Sequence, residues 1–593
     1  MRTLLISACL LSAQATAAFA QGPPTMFPPV RGTHEMVGAA NNFEVEAGFR
    51  LLTQGGNAVD AGVASVLAAS VTEQSRFGLG GEMPLLIKMN GQPVMAISGV
   101  GIAPAKATVA YFQNRKPEPW EDAAHMAPIP MQGIHSAITP GVLAGLILAL
   151  QRYGTKSFAE VAQPAIEYAE QGFPMPDEFG NMLRNYQKIL NLWPDSTKFF
   201  YPGDVVVKRG EVFREPLLAK TLKDLVQAEK KARGKRVAKL EAVRRLFYEG
   251  SIARRIGDFN DKNDGLITYE DMKKTTATIE PSTQGTYRGY EIHKPGFWTQ
   301  GPVMIEALNI LEGYDLKSMG HNSPQYLHTL VEAVKLAFAD RDMFYGDPRF
   351  SKIPEDILLS KEYAATRRKL IDPAHASMDH RPGDLNGRTP MPTAAPAADG
   401  PVNDTTCVNI VDRMGNAFSA TPSGAWLPSV IAGDTGVPLT SRLQSFVMTP
   451  GHPNQLMPGK RPRVTLSPTL ITKSGQFVME LSTPGGDNQD QALLQVVLNV
   501  IEFGMQAQEA VEAARFQTEH FYSSFGSHDF VPGRLSLENR MSKATMEGMS
   551  ALGHKVNVTG EWSNASAPIL ILKTGEVLNG GADIRRARYI FGR

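Results

Sequence analysis

A proline-rich stretch near the middle of the chain constrains the fold more than any other feature. It covers residues 380–401, is predicted to be structureless, and ends shortly before Thr405-Thr406, which open a strand predicted over 405–412. Helices and strands are predicted on both sides of the stretch. The chain is therefore expected to form one composite α/β domain that is interrupted in the middle, although 593 residues could also form several domains.

The hydroxyl residue at this junction is suited to a self-cleaving hydrolase. If the bond between Asp404 and Thr405 breaks, Thr405 carries both a hydroxyl and a free α-amine, and the amine can act as the base for its own side chain. The alternative is structural, because Thr is a good strand former and most Thr pairs only decorate a half-buried sheet. The pair alone leaves both interpretations open.

The predicted elements mix helix and strand on either side of the stretch. Those before it are a buried helix after Gly55-Gly56-Asn57, a hairpin strand over 83–89 with its turn at Asn90-Gly91, helices from about 140 to 256, and an amphipathic helix over 323–344. Those after it are strands over 416–421, 469–472 and 477–481 and the helix Gln489–Ile501.

Composition is that of a soluble globular protein, with 42% hydrophobic and 20% charged residues. The net charge of +1 gives no overall field to attract nucleic acid or an anionic membrane, so neither is predicted as a partner. A basic run over 229–245 could be a contact patch. A solvated helical insertion is favoured, because Asp224, Glu229 and Glu241 lie among the cations.

Residues 1–20 read as a targeting segment. A positive residue at position 2 precedes a short apolar run over 4–11, and the small residues of 18–20 fit a cleavage site before Gln21. The alternative is an uncleaved N-terminal anchor, but the apolar run is too short to span a bilayer. We expect a periplasmic or secreted protein whose single remaining thiol is Cys407, without an internal disulfide.

Two motifs that would indicate a bound phosphate or metal fail on inspection. The glycine-rich turn over 77–82 lacks the Gly-Lys-Ser/Thr ending of a phosphate loop. The segment 260–265 resembles a calcium loop, but Lys262 and Asp271 occupy positions that require an oxygen ligand and a bidentate Glu. The segment is predicted to be a turn before a helix capped by Thr268, and neither a metal nor a cofactor is predicted.

Short motifs occur in order along nearly the whole chain after residue 20. They are Gly55-Gly56-Asn57-Ala58-Val59-Asp60-Ala61, Ala103-Pro104-Ala105-Lys106-Ala107-Thr108, Thr139-Pro140-Gly141, Lys335-Leu336-Ala337-Phe338-Ala339-Asp340-Arg341, Gly459-Lys460-Arg461-Pro462, Ser467-Pro468-Thr469, Thr483-Pro484-Gly485-Gly486-Asp487 and Gly580-Gly581-Ala582-Asp583. Together they resemble the γ-glutamyltransferase family, also called glutathione hydrolases, which are N-terminal nucleophile hydrolases. The resemblance implies an αββα sandwich, a single composite domain formed by a large and a small subunit.

The same resemblance implies how the site is made. The precursor would cut itself between Asp404 and Thr405, giving a heterodimer of residues 21–404 and 405–593. Thr405 would attack an amide carbonyl and form an acyl-enzyme, which water or an amino acid or peptide then accepts. Its α-amine has an ordinary pKa of about 8 and can therefore accept and return a proton near neutral pH.

Three further positions correspond to the family's catalytic residues. Gly485 and Gly486 match the pair whose backbone N–H groups hold the oxyanion, and the absence of side chains lets the backbone come close. Ser423 stands where the family usually has a Thr near the amine of the nucleophile.

Departures from the family pattern concern the acyl pocket. The Arg that binds the α-carboxylate of a γ-glutamyl group is missing before Ala103-Pro104. The remaining changes are Arg442 and Ser445 at the ammonium-binding positions, Val464-Thr465 at the serine pair, and Ala425 in place of an Asn. Arg442 suits a carboxylate held bidentately, because a guanidinium opposite an ammonium is unfavourable. The alternative is that Arg442 is a structural arginine in a loop.

Four functional hypotheses follow. The first is the family's own activity on glutathione-like γ-glutamyl compounds, and the second is an amidohydrolase or acylase with a carboxylate-bearing acyl group. The third is an uncleaved periplasmic binding protein, which intact Thr405, Gly485 and Gly486 disfavour. The fourth is a cysteine enzyme centred on Cys407, which would have no free amine beside its thiol.

Overall fold

Two seven-stranded sheets lie face to face and carry helices on their outer surfaces. The computed structural model describes residues 25–385 and 405–593. The predicted targeting segment 1–20 and Asp404 lie outside the described residues. The layers are helix, sheet, sheet and helix, so the predicted αββα sandwich is confirmed.

Nineteen strands occur in the described parts of the chain. They are β1 (Val30–Gly32), β2 (Met36–Ala39), β3 (Met83–Lys88), β4 (Val94–Gly99), β5 (Phe173–Pro174), β6 (Val212–Phe213), β7 (Thr278–Pro281), β8 (Thr283–Tyr287), β9 (Tyr290–Lys294), β10 (Val408–Val411), β11 (Ala417–Ala420), β12 (Thr469–Lys473), β13 (Gln476–Ser482), β14 (Phe516–Thr518), β15 (Arg534–Glu538), β16 (Lys555–Thr559), β17 (Ile569–Thr574), β18 (Val577–Ala582) and β19 (Tyr589–Gly592).

The α-helices within the same two ranges are also given in chain order. They are α1 (Asn42–Thr53), α2 (Ala58–Thr72), α3 (Val109–Gln113), α4 (Val142–Tyr153), α5 (Phe158–Gln171), α6 (Asp177–Leu190), α7 (Pro194–Phe200), α8 (Pro216–Lys231), α9 (Arg236–Tyr248), α10 (Ser251–Lys262), α11 (Tyr269–Lys274), α12 (Pro302–Leu311), α13 (Leu316–Met319), α14 (Pro324–Phe344), α15 (Glu355–Leu358), α16 (Lys361–Arg368), α17 (Gln489–Ile501), α18 (Ala507–Glu512) and α19 (Lys543–Ala551).

Both large sheets contain strands from before and after the proline-rich stretch. The first sheet has the order β1-β18-β17-β13-β12-β9-β8, and the second has the order β19-β2-β10-β11-β3-β4-β7. In the second sheet, β10 pairs antiparallel with β2 on one side and with β11 on the other. Neither half of the chain could complete either sheet alone, which confirms the prediction of one composite domain.

Apolar cores hold the layers together. Helices α1, α2 and α4 cover the second sheet, and α12, α17 and α18 cover the first, each over a large buried core. A smaller core that includes Met36, Leu86, Val411, Leu470 and Ile571 lies between the sheets. Burial of this apolar surface on both faces of each sheet is the main force that stabilises the sandwich.

The strand predicted over 405–412 begins later than expected. Its ladder covers Val408–Val411, while Thr405 forms an isolated bridge with Ser423. Thr406 donates its N–H to the carbonyl of Pro422 at 3.0 Å. Because proline has no N–H to return, the regular ladder cannot extend past this point, and the nucleophile candidate lies just beyond the sheet.

Helix α14 corrects the prediction of an amphipathic helix over 323–344. Every residue from Tyr326 to Phe344 is buried, including Glu332, Lys335 and Arg341. Each of these charged side chains has an ion-pair partner, which compensates for its removal from water. The apolar stripe therefore marked only part of a helix that is enclosed on all sides.

Other predicted elements are confirmed. The strand over 83–89 forms an antiparallel pair with β4, and α17 has the predicted bounds. Thr268 caps α11, as expected from the turn before it. The basic run lies on α8 and α9, but Glu229 is buried and accepts hydrogen bonds from the first N–H groups of α5. No helix in the described ranges has the length and apolarity to cross a membrane.

Candidate active site

The site is built around Thr405, which is buried at the N-terminal end of the strand that leads into β10. The hydroxyl oxygens of Thr405 and Ser423 lie 3.2 Å apart, a hydrogen-bonding distance. The backbone bridge between the same two residues fixes this approach. The structure therefore brings together the predicted nucleophile and the predicted neighbouring hydroxyl.

Asn409 ties the strand of the nucleophile to the opposite sheet. Its side-chain amide donates to the carbonyl of Ile569 in β17 at 3.1 Å. Its side-chain oxygen accepts from the hydroxyls of Ser419 at 2.7 Å and Ser482 at 3.1 Å. Because Ser482 ends β13, this buried link sets the position of Thr405 relative to the turn that follows β13. The motif reasoning did not single out Asn409.

That turn contains Gly485 and Gly486, both with positive φ, at 120° and 55°. A Cβ atom on Gly485 would lie 2.3 Å from the hydroxyl oxygen of Ser566, so only glycine fits there. Within the described residues, neither N–H donates to a protein acceptor. Two unpaired backbone donors on a tight turn are what an oxyanion requires.

The next residue anchors the turn. Asp487 forms an ion pair with Arg341 and accepts from the backbone N–H of Ser524 at 2.9 Å. Burial lowers the pKa of Arg341, but the attraction of Asp342 and Asp487 outweighs it and leaves the pKa raised. The guanidinium therefore stays charged and holds the turn in place.

Arg442 is buried next to Ser423. Its Nε donates to the carboxylate of Glu82, and its Nη2 donates to the Ser423 hydroxyl at 3.1 Å. Only Nη1 has no partner among the described residues. The two bonds use the N–H of Nε and one N–H of Nη2, so three N–H groups of the guanidinium remain, and the carboxylate of Glu82 balances its charge. The bidentate binding of a carboxylate by Arg442 stays a prediction.

The sequence did not predict a role for Glu82, because the turn over 77–82 was compared only with a phosphate loop, which it does not match. Gly81 allows the close approach that places it, since a Cβ there would lie 2.1 Å from the carbonyl oxygen of Ser423. A usable signal was present in the sequence. A charged residue stands between a glycine-rich turn and the apolar strand β3, where burial without a partner would be costly.

The remaining pocket residues are buried and carry unsatisfied polar atoms. The hydroxyl oxygens of Ser445 and Thr465 have no hydrogen-bond partner in the parts of the chain described, as for Nη1 of Arg442. Arg442 and Ser445 share one 3₁₀ turn, on which residues three apart point the same way. Buried polar atoms of this kind mark places where a ligand or water is accommodated.

Aromatic rings enclose the same region. The guanidinium of Arg442 lies 4.6 Å from the ring centre of Trp426 and 5.7 Å from that of Phe525. Phe525 also packs against Gly486, where a Cβ atom would lie 3.0 Å from the ring. Ala425 is fully buried and offers no polar atom where the family has an Asn.

Two other groups are poor candidates for chemistry. Cys407 is fully buried, and burial raises the pKa of its thiol to about 11, so it is not a thiolate at neutral pH. In the described ranges, His328, Glu332 and His554 could geometrically surround a metal ion. The carboxylate of Glu332 is already bonded to Lys335 and Arg381, two cations that would repel such an ion.

Comparisons with known proteins show the family of the chain. The family model described as gamma-glutamyltranspeptidase matches residues 45–592. A glutathione hydrolase proenzyme of Escherichia coli strain K12 is 31% identical, and the alignment covers 99% of this chain and 97% of that protein. An acylase ACY 1 proenzyme of Pseudomonas sp. strain SE83 is 33% identical, with 89% and 88% covered. The crystal structure of a cephalosporin acylase from Bacillus halodurans superimposes with a TM-score of 0.81 at 25% identity, covering 97% and 98%.

Proposed function

Since the chain belongs to the γ-glutamyltranspeptidase family and is an enzyme of that family, we propose that Thr405 is its nucleophile and that self-cleavage releases it. The observation that carries this proposal is the position of the Thr405 hydroxyl. Its oxygen lies 3.2 Å from the hydroxyl oxygen of Ser423, at the N-terminal end of the strand that leads into β10. Family membership also removes the hypothesis of a non-catalytic binding protein.

Cleavage would proceed by attack of the Thr405 hydroxyl on the carbonyl carbon of Asp404. The C–N bond breaks, the new α-amine takes the proton, and water then hydrolyses the ester between the two residues. The products are residues 21–404 and 405–593, which stay together because both sheets need strands from each part. The proenzyme names of the relatives support this step.

The catalytic cycle would use the same groups. The α-amine of Thr405 takes the proton of its own hydroxyl, whose oxygen attacks the substrate amide. The N–H groups of Gly485 and Gly486 would hold the developing oxyanion, and the leaving amine takes the proton. Water, or an amino acid or peptide, then attacks the acyl-enzyme and restores the hydroxyl.

The proposed substrates are glutathione-like γ-glutamyl compounds. The electrostatic objection to an α-ammonium is smaller than the sequence suggested, because Glu82 balances the charge of Arg442. Neutralised in this way, the guanidinium no longer repels a substrate cation as an isolated charge would. Incubation of the purified enzyme with glutathione should release free glutamate, and no release at any tested pH would contradict this choice of acyl group.

A second candidate is an acylase whose acyl group ends in a carboxylate or another acceptor. It is favoured by three buried polar groups without partners in the described structure, Arg442 Nη1 and the hydroxyls of Ser445 and Thr465, which can all donate. The glutaryl and γ-glutamyl p-nitroanilides separate the two candidates, because they differ only in the α-amine. A higher kcat/KM for the glutaryl compound would favour the acylase.

Electrophoresis tests the cleavage itself. The chain has a mass of 64.5 kDa for 593 residues, or about 109 Da per residue. Residues 21–404 should therefore run at about 42 kDa and residues 405–593 at about 21 kDa. Thr405→Ala should remain one chain. A wild type that is active while uncut would overturn the proposal.

Export to the periplasm or the medium also remains a proposal. It is supported by the charge, apolar run and small residues of 1–20. The mature large fragment should begin at Gln21, which N-terminal sequencing of the protein from its native host would test. A fragment that retains Met1 would contradict it.

A further inference from the structure

A closed ring of contacts joins Glu82, Arg442 and Ser423. The backbone N–H of Glu82 donates to the carbonyl of Ser423, and the N–H of Ser423 donates to the carbonyl of Glu82, both at 2.9 Å. The carboxylate of Glu82 accepts from Nε of Arg442, while Nη2 of Arg442 donates to the Ser423 hydroxyl at 3.1 Å. Ser423 is therefore held by both its backbone and its side chain.

The ion pair in this ring is sealed from water. Glu82 is 0% exposed and Arg442 1% exposed. The second carboxylate oxygen of Glu82 accepts from the hydroxyl of Thr440 at 3.0 Å, so both oxygens are bonded. A buried ion pair is weak evidence for added stability, since taking two charges out of water offsets their attraction. A role at the neighbouring hydroxyls explains its presence better.

The direction of the hydrogen bonds defines that role. A guanidinium can only donate, so the Ser423 oxygen must accept from Arg442. The proton of Ser423 is not used in that bond and can be directed toward Thr405, whose oxygen lies 3.2 Å away. Arg442 thus orients the hydroxyl that touches the nucleophile, although it does not touch Thr405 through any contact described for it.

We infer that Glu82 and Arg442 are a positioning pair that aims Ser423 at Thr405 and sets the electrostatic potential at the Thr405 α-amine. This inference rests on the proposed function, because the amine exists only after cleavage before Thr405. Nη2 of Arg442 lies 3.1 Å from the Ser423 hydroxyl oxygen, which lies 3.2 Å from the Thr405 hydroxyl oxygen, so the guanidinium is two hydrogen bonds away from the residue that carries the amine. A charge this close to a titrating residue shifts its pKa. Arg442, the member that contacts Ser423, favours the neutral amine, which is the form that acts as base.

Other charged groups face this strand from the elements packed around it. Beyond the turn after β13 they are Asp487 and Asp342 with Arg341. At the end of α2, beneath Thr406, they are Glu73, Glu44 and Glu178 with Arg76 and Arg588. All of them are unchanged in the variants below. These groups affect the pKa of the Thr405 α-amine equally in every variant, so they do not change the direction in which that pKa differs between variants.

The test compares two single substitutions that disturb the pair in opposite senses. Glu82→Gln leaves the guanidinium without its anion, so the base form of the amine should persist to lower pH. Arg442→Gln removes the cation, so the base form should be lost at higher pH. The measurement is the pH at which kcat/KM falls on the acidic side of its profile (the acidic limb), with the p-nitroanilide that the wild type hydrolyses faster. This pH should be about one unit lower in Glu82→Gln and about one unit higher in Arg442→Gln than in the wild type.

Arg442→Lys provides a variant that keeps the charge but loses the planar fork. It should leave the acidic limb near that of the wild type while lowering kcat by about tenfold, because Ser423 is no longer aimed at Thr405. A merely structural pair would change kcat in all three variants without moving the limbs in opposite directions. Only variants shown by electrophoresis to be fully cleaved are compared, so a defect in processing is not mistaken for a shifted titration.

The result that would overturn the inference is a limb that stays fixed, or moves the same way, in cleaved Glu82→Gln and Arg442→Gln. If the wild type is cleaved and active, this result from the variants leaves Thr405 as the nucleophile and overturns only the role of Glu82 and Arg442. If instead the wild type is active with its chain intact, the proposed function fails first. The two failures are therefore distinguishable.

Discussion

The proposed oxyanion turn and the proposed acyl pocket differ in what they consist of. The turn is backbone: Gly485 and Gly486 have positive φ, and their N–H groups donate to no acceptor within the described residues. The proposed pocket consists of side chains, with Arg442 bonded to Glu82 and to Ser423. Backbone geometry depends on the fold, whereas a side-chain pocket can change by paired substitution while the fold stays the same.

The relatives of this chain include proteins named glutathione hydrolase and proteins named acylase. A carboxylate in the pocket can be exchanged for a cation only if the new charge is neutralised, because an unpaired buried charge is costly. Glu82 supplies that neutralisation here. The turn beyond β13 needs no such adjustment, because its donors recognise an oxyanion that every amide substrate forms.

The largest expected effect is on the nucleophile. Thr405→Ala should reduce kcat by on the order of 10⁶-fold, as for the loss of other catalytic nucleophiles, while Thr405→Ser should be cleaved and keep part of the activity. The two side chains differ by the hydroxyl alone, so the loss in Thr405→Ala combines the missing nucleophile with the missing cleavage, both of which need that hydroxyl. Turnover by Thr405→Ala at more than a trace would place the nucleophile elsewhere.

The oxyanion turn should show the next largest effect. Gly485→Val forces a side chain into φ of 120° and against Ser566, so the N–H donors should shift and kcat should fall by about 10²–10³-fold or more. Gly475→Val is the matched control, because φ there is 71° and no atom lies within 4 Å of its Cβ position. Equal kcat values for the two cleaved variants would show that the turn does not hold the oxyanion.

The acyl pocket is tested by the substitution that frees Glu82. Arg442→Gln leaves a carboxylate that can pair with an α-ammonium, so the ratio of kcat/KM for γ-glutamyl over glutaryl p-nitroanilide should rise. A charge-pair partner in a desolvated site is commonly worth about 2–5 kcal/mol, which corresponds to about 30-fold or more. Arg442→Lys, which keeps the cation, should leave the ratio nearly unchanged. A ratio that falls in Arg442→Gln would contradict the pocket as described.

The smallest effects are expected at the two hydroxyls without partners in the described structure. Ser445→Ala and Thr465→Val should each raise KM for the preferred anilide by about 2–10-fold, the value of one neutral hydrogen bond. Their melting temperatures should not fall, because neither hydroxyl satisfies a protein group among the residues described. If KM stays constant in both variants, the acyl group does not reach these residues.

The fold predicted from the sequence is confirmed, whereas Thr405, Gly485 and Gly486 stay predictions that rest on motifs in order along the chain. Motifs of this kind are recognisable without knowing any contact. The Glu82–Arg442 pair spans 360 positions along the chain and depends on a turn that approaches Ser423 through Gly81. A single sequence shows both charges but not that they meet. Helix α14 was misjudged for the same reason, since its charged residues find their partners in distant segments.

The central claim is that Thr405, freed by cleavage, carries the acyl group during turnover. The most direct measurement is to quench the enzyme during steady-state hydrolysis of its faster anilide and to map the small fragment by mass spectrometry. We predict a fragment that begins at Thr405 with one acyl group as an ester on that residue's hydroxyl. A different N-terminus, or an acyl group on Ser423 or Cys407, would contradict the account.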